Sequence, residues 1–190
     1  MRPKALMRVV GGEAKGRRIK GTIAPGARPT TERVRAAIFN ILDADSYQDQ
    51  KALDLFAGSG SLGIEALSEG AAWADFVERD RKQCEIIRSN LENTGFSHQS
   101  KVYQADATRV LDSLDGPYQL ILLDPPYVLQ NIGEVLEKIA SVPGLVDSQG
   151  IVVVGHSRHL ELLPHYGSLL LESHRRYGDN VVEFYANRYP

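Results

Sequence analysis

Two short segments of this 190-residue chain combine residue types and spacings that chemistry requires. The first, Gly58-Ser59-Gly60-Ser61-Leu62-Gly63, follows the apolar run Lys51–Ala57 and opens a helix expected over Leu62–Ser68. A Gly-x-Gly-x-x-Gly pattern between strand and helix permits a tight turn and lets a ligand approach the backbone where a helix offers unpaired N–H groups. Glu78 ends the next strand-like run, Ala74–Glu78, where an acid can accept both hydroxyls of a ribose. The second segment, Asp124-Pro125-Pro126-Tyr127, ends the buried-strand run Tyr118–Asp124. Its prolines fix the backbone and leave carbonyls free to accept hydrogen bonds. An exocyclic amine on a base or amide is conjugated and weakly nucleophilic. Asp124 and the Pro125 carbonyl can accept its two N–H bonds and aim its lone pair, while Tyr127 stacks on the ring.

Such segments need a scaffold that brings them to one edge. Helical periodicity runs through Arg81–Asn93, with Cys84, Ile87 and Leu91 on one face, and through Asn131–Ala140, with Ile132, Val135, Leu136 and Ile139. A short helix is expected over Thr108–Leu114, and strands over Val102–Ala105 and Ile151–Gly155. Repeated strand–helix units with near-continuous apolar strands imply a mostly parallel α/β sheet covered on both faces. Ligands then bind outside the carboxyl ends of the strands, so the glycine loop and Asp124–Tyr127 should share a crevice. Ser168–Arg176 and Val181–Arg188 read as a closing antiparallel hairpin around Tyr177–Asn180, and Arg8–Val10 with Arg17–Lys20 as a small basic hairpin. Thr30 can cap a following helix whose apolar face holds Val34, Ile38, Ile41 and Leu42.

The glycine loop and Glu78 suit either a dinucleotide or S-adenosylmethionine. Asp54 favours the second, because a carboxylate beside the loop repels a pyrophosphate but suits a sulfonium or an ammonium. The run LDLFAGSGSLGIEAL resembles the first motif of class I methyltransferases, and Asp124–Tyr127 matches the (Asp/Asn)-Pro-Pro-(Tyr/Phe) signature of amino-group methyltransferases. Together with Arg8-Val9-Val10-Gly11-Gly12, Lys15-Gly16-Arg17, Arg28-Pro29-Thr30-Thr31-Glu32-Arg33-Val34-Arg35 and Arg176-Tyr177-Gly178-Asp179, the chain resembles the RsmD-type 16S ribosomal RNA guanine-N2 methyltransferases along nearly its whole length. The resemblance implies a Rossmann-like fold with a seven-stranded sheet, and S-adenosylmethionine, converted to S-adenosylhomocysteine, as methyl donor. It implies a small-subunit rRNA guanine as acceptor, in free RNA or in a ribosomal particle. Cofactor binding is carried to Asp54, Phe56, Ala57, Gly58, Ser59, Gly60, Glu78, Arg79, Asp106, Ala107 and Asp124. The catalytic role is carried to Asp124, Pro125, Pro126 and Tyr127. Rival readings are an adenine-N6 DNA methyltransferase, a glutamine-N5 protein methyltransferase, a non-catalytic RNA-binding assembly factor, and an NAD-dependent oxidoreductase that would leave Asp124–Tyr127 without a role.

Charge points to the same partner. The net charge is −2, but the first 35 residues hold ten basic side chains against Glu13 and Glu32, a local +8 on a body of −10. A basic arm on an acidic body suits a polyanion, or is a solvated terminus. On the first reading Arg8, Lys15, Arg17, Arg18, Lys20, Arg28 and Arg33 bind RNA. The arm is expected to span residues 1–28 and the catalytic domain 29–190. Arg28, Thr30 and Thr31 either line the cofactor mouth or, for Thr30, only cap a helix. The single cysteine, Cys84, excludes an internal disulfide, and no run approaches the roughly 18 apolar residues that span a bilayer. No secretory leader is recognisable in the first 18 residues. A cytoplasmic monomer without a metal is the expectation; His156 and His159, three apart and placed on one side of a helix, lack a third ligand.

Overall fold

The computed structural model of the protein describes residues 6–21 and 31–188. In chain order the elements are β1 (Leu6–Arg8), β2 (Arg18–Lys20), α1 (Glu32–Ile41), β3 (Lys51–Leu55), α2 (Ser61–Ser68), β4 (Trp73–Glu78), α3 (Arg81–Thr94) and β5 (Ser100–Gln104). There follow α4 (Ala107–Val110), β6 (Tyr118–Leu123), α5 (Ile132–Ser141), β7 (Val146–Ser157), β8 (His165–Tyr166), β9 (Leu169–Tyr177) and β10 (Asn180–Asn187). Among the described residues the main sheet has eight strands in the order β5-β4-β3-β6-β7-β10-β9-β8. The five from β5 to β7 pair in parallel, and β10, β9 and β8 are added antiparallel. The mostly parallel sheet and its closing hairpin are as expected, with the two-residue β8 as one strand more than seven. The hairpin turn is tighter than the spacer suggested: only Gly178 and Asp179 separate β9 from β10, and Gly178 takes φ 65°.

Side chains of the central strands alternate between two cores. Ala52, Phe76, Leu120, Leu122, Val153 and Val182 face α1, α2 and α3, while Leu53, Leu55, Val77, Ile121, Leu123 and Val154 face α4 and α5. Burial on both faces is why these strands read as continuous apolar runs rather than alternating ones. Cys84 is fully buried on the inner face of α3, so its thiol is a core group.

The described stretch 6–21 of the basic segment is docked on the body. Met7, Val9, Ala14 and Ile19 are buried in the core shared with α1, α2 and α3. β2 alternates exposed Arg18, buried Ile19 and exposed Lys20, which turns its cations outward. Two further expectations change in this region. Thr31, not Thr30, caps α1, accepting from the Val34 N–H; Thr30 lies outside the described residues. Ile41 is 37% exposed, and the buried stripe of α1 instead includes Arg35 and Phe39 beside Val34 and Ile38.

Candidate active site

Strand order reverses between β3 and β6, and ligands of such sheets bind in the crevice at that switch point. Register brings the predicted groups to its edge. Leu55 pairs with both Val77 and Leu123, and Leu123 with Val154, so the start of the glycine loop, Glu78, Asp124 and Gly155 lie side by side at one level of the carboxyl edge. Phe56 begins the loop in the left-handed region at φ 59°, strained geometry that a non-glycine residue keeps only where its surroundings hold it.

The three glycines of the loop differ in what they do. A Cβ at Gly63 would come within 2.4 Å of the Phe76 ring, and one at Gly60 within 3.2 Å of Ile87, so both let α2 and its loop pack against β4 and α3. A Cβ at Gly58 would meet only the Phe56 carbonyl, at 3.9 Å, and would otherwise stand in the open crevice. Gly58 is therefore the one whose missing side chain leaves room for a ligand.

The acids around this loop set its electrostatics. Asp54, 1% exposed, accepts from the Gly63 N–H at 2.8 Å. Burial pushes its carboxyl well above the usual range, against the pull of that N–H, and the negative charges of Asp124 and Glu78 push it further. Glu78 accepts from Gly58 N–H and Asp80 N–H, each at 2.9 Å, using two of the roughly four lone-pair sites of a carboxylate. Asp106 caps α4, and its carboxyl is held below its ordinary value chiefly by the Thr108 hydroxyl. Arg79 is exposed beside Glu78, and Ala107 is buried beneath Asp106. The charges of Glu78 and Asp124 raise the proton affinity of Asp54, and negative charge gathered in this way favours a cation. A pyrophosphate would meet Asp54 at the amide it needs, so the residues fit a sulfonium and ammonium better than a dinucleotide.

Asp124 and Tyr127 are half-buried and Pro125 is buried. A Cβ on Gly155 would lie 2.9 Å from Asp124 Oδ1, so the carboxylate reaches over the end of β7 at a place where a side chain would displace it. Pro126 spends its carbonyl on the Leu129 N–H and closes the turn. Tyr127 lines a cleft of about 340 Å³ with Thr31, Arg33, Val34, Arg176, Tyr177, Gly178 and Asn180. His156 and His159 do not share a helix. His156 is buried in β7, 3.7 Å from Glu183 Oε1, and His159 is exposed in the turn that follows.

Of the basic residues predicted to bind RNA, Arg8, Lys15, Arg17, Arg18, Lys20 and Arg33 are exposed, and Arg28 lies outside the described residues. Sequence reasoning missed two groups that hold this surface to the site. Fully buried Asn90 accepts from Lys20 N–H and donates to the carbonyls of Lys20 and Ser59, joining β2 to the glycine loop at 2.8–2.9 Å. Buried Glu65 accepts from Val10 and Gly11 N–H and pairs with Arg35 at 3.4 Å. The signal available for each was a polar residue on an otherwise apolar helix face.

A doubly wound sheet with a glycine loop at its switch point and acidic side chains gathered around that loop is the arrangement of a class I methyltransferase. The family model described as conserved hypothetical protein 95 matches residues 7–186, and the chain belongs to that family. It is 37% identical to YlbH of Bacillus subtilis (strain 168) over 185 residues, 96% of this chain and 100% of that one. It is 36% identical to ribosomal RNA small subunit methyltransferase D of Escherichia coli (strain K12) over 147 residues, covering 77% of this chain and 73% of that one. The solved structure of Escherichia coli yhhF superposes with a TM-score of 0.82 at 29% identity, covering 98% of this chain and 100% of that one.

Proposed function

We propose that the protein transfers a methyl group from S-adenosylmethionine to the exocyclic N2 amine of a guanine in small-subunit ribosomal RNA, in the cytoplasm. The observation that carries this reading is Asp124, which lines a narrow slit sharing Val34 and Asn180 with the tyrosine-lined cleft and whose charge, with that of Glu78, reaches the buried Asp54 under the glycine loop. The relatives' ribosomal RNA specificity supports the choice of acceptor.

S-adenosylmethionine supplies an electrophilic methyl on a sulfonium. Glu78 has lone pairs left for ribose hydroxyls, and Gly58 leaves space for the bound group. Asp124 accepts an N–H of the amine, with the Pro125 carbonyl as its partner acceptor, and so aims the nitrogen lone pair. Tyr127 stacks on the base. As positive charge grows on nitrogen, the Asp124 hydrogen bond strengthens, which lowers the barrier. The methylated ammonium then loses a proton, so no strong base is needed.

The test offers tritiated methyl donor with undermodified rRNA, small ribosomal subunits, DNA and protein in parallel, followed by nucleoside digestion. Label in N2-methylguanosine from rRNA or subunits is expected. Label in DNA or protein, or none, would replace the proposal with one of the rival readings. In calorimetric titration S-adenosylhomocysteine binds and NAD does not; heat from NAD alone would overturn the cofactor assignment.

Residues 1–28 serve as the RNA-gripping extension and 29–190 as the catalytic domain in this proposal. Because Met7, Val9, Ala14 and Ile19 belong to the core, deleting the extension would damage the body, and charge removal is the cleaner probe. Lys15→Gln with Arg18→Gln changes two exposed cations. Removing one cation–phosphate pairing should flatten the logarithmic salt dependence of RNA binding by roughly 0.7–0.9, so a change of about 1.5 is expected for the two together. Unchanged affinity and slope would move RNA recognition off this face.

A further inference from the structure

Asn180 begins β10 opposite Ser157, two residues before Val182, which pairs with the Gly155 beneath the Asp124 carboxylate. It is 9% exposed, and its Oδ1 is buried with no hydrogen-bond partner among the described residues. Buried polar atoms are nearly always paired, so an unpaired acceptor beside a site calls for an incoming donor. Asn180 lines the 340 Å³ cleft together with Tyr127, and it also lines the narrow slit that reaches Asp124. A group that enters the cleft and gives its amine to Asp124 therefore presents its next atom toward Asn180.

We propose that Asn180 is a specificity-determining residue whose Oδ1 accepts the ring N1–H of the target guanine. The inference rests on the guanine-N2 reading above. In guanine one of the two ring nitrogens next to the N2-bearing carbon, N1, carries a hydrogen, while N3 on the other side is bare. In adenine the atom next to the N6-bearing carbon is a bare ring nitrogen, and in a glutamine amide it is a carbonyl oxygen. Either of these would set one acceptor against another at Asn180. A site built to bond a donor rejects analogues that lack it, because its own buried group is left unpaired. Arg33 and Arg176 on the same cleft suit the phosphates that flank the base.

The test uses small subunits reconstituted with rRNA carrying either guanine or 2,6-diaminopurine at the methylated position, once mass mapping of ribonuclease fragments has located it. Diaminopurine keeps the N2 amine, replaces the N1–H with a lone pair and the O6 carbonyl with an amine, so the Asn180 variants assign any preference to the N1 position. The wild-type protein should prefer guanine by about 100-fold in kcat/KM. Asn180→Leu should lose about 10- to 100-fold on guanine and cut the preference to within about tenfold, with S-adenosylhomocysteine binding unchanged. Asn180→Asp, which keeps an acceptor oxygen, should retain the preference for guanine. Equal use of both bases by the wild-type protein overturns the inference even if the leucine variant fails to fold, as does a folded Asn180→Leu that keeps the full preference. A product other than N2-methylguanosine overturns the reaction reading and this inference together. N2-methylguanosine made without preference for guanine overturns this inference alone.

Discussion

Asp124→Ala should lower single-turnover methyl transfer on the order of 10²–10³-fold while leaving the fold and S-adenosylhomocysteine affinity largely intact. The carboxylate follows the last residue of β6 at the carboxyl edge and reaches over Gly155. In the proposed mechanism it meets the amine rather than the adenosine, whose ribose is assigned to Glu78. Alanine removes a positioned, charge-assisted acceptor from a half-buried place where charge develops. Asp124→Asn keeps an oxygen that can accept the same N–H, so its rate should lie between those of the wild-type and alanine proteins. Asp54 provides an internal check. Part of the upward push on its carboxyl comes from the Asp124 charge, so its proton affinity should fall in the alanine variant, readable by carboxyl-carbon NMR titration. Near-normal turnover by a folded Asp124→Ala protein would remove Asp124 from the chemistry.

The fold was legible because its signals are local. Runs such as Leu120–Leu123 are apolar throughout, as a strand covered on both faces requires, and α3 and α5 carry their buried residues at helical spacing. The glycine loop and Asp124–Tyr127 were legible because each is contiguous, and the sheet rule brings strand ends together without further information. What escaped was carried by pairs distant in sequence. Nothing near Asn180 indicates that its amide oxygen would stand near a residue 56 positions earlier. The basic segment misled for a related reason: counting charges treats Arg35 as one more surface cation, whereas it is the largest fully buried side chain described. Its partner Glu65 is a carboxylate within a mostly apolar helix, and the docking of the turn after β1 onto α2 explains its burial.

That pair carries the second large effect. Arg35 and Glu65 are 0% and 1% exposed, and burial lowers the proton affinity of the arginine while raising that of the glutamate, so both shifts run against ionisation. The remaining interactions offset this only in part. Glu65 receives N–H groups from Val10 and Gly11, and Arg35 Nη2 donates to the Arg8 carbonyl at 2.5 Å, so the pair holds the start of the chain against α1 and α2. Arg35→Met removes the buried cation beside the Glu65 carboxylate, and Glu65→Gln removes the buried anion beside the Arg35 guanidinium. Each single change should cost about 3–5 kcal/mol in urea unfolding. The double variant has no buried charge, and its glutamine oxygen can still accept from Val10 and Gly11. It should fall within about 2 kcal/mol of the wild type, since well-packed neutral replacements of a buried pair are often near neutral. The sign of the pH dependence follows from the same burial. A carboxyl whose folded-state proton affinity is raised favours the folded state below the ordinary carboxylate range and loses that contribution as pH rises through its raised value. Glu65→Gln should therefore remove a component of stability that declines with rising pH across that window. Additive single costs, with the double variant the least stable of the three, would mean that the two residues act independently and that β1 is held to the body by its apolar side chains alone.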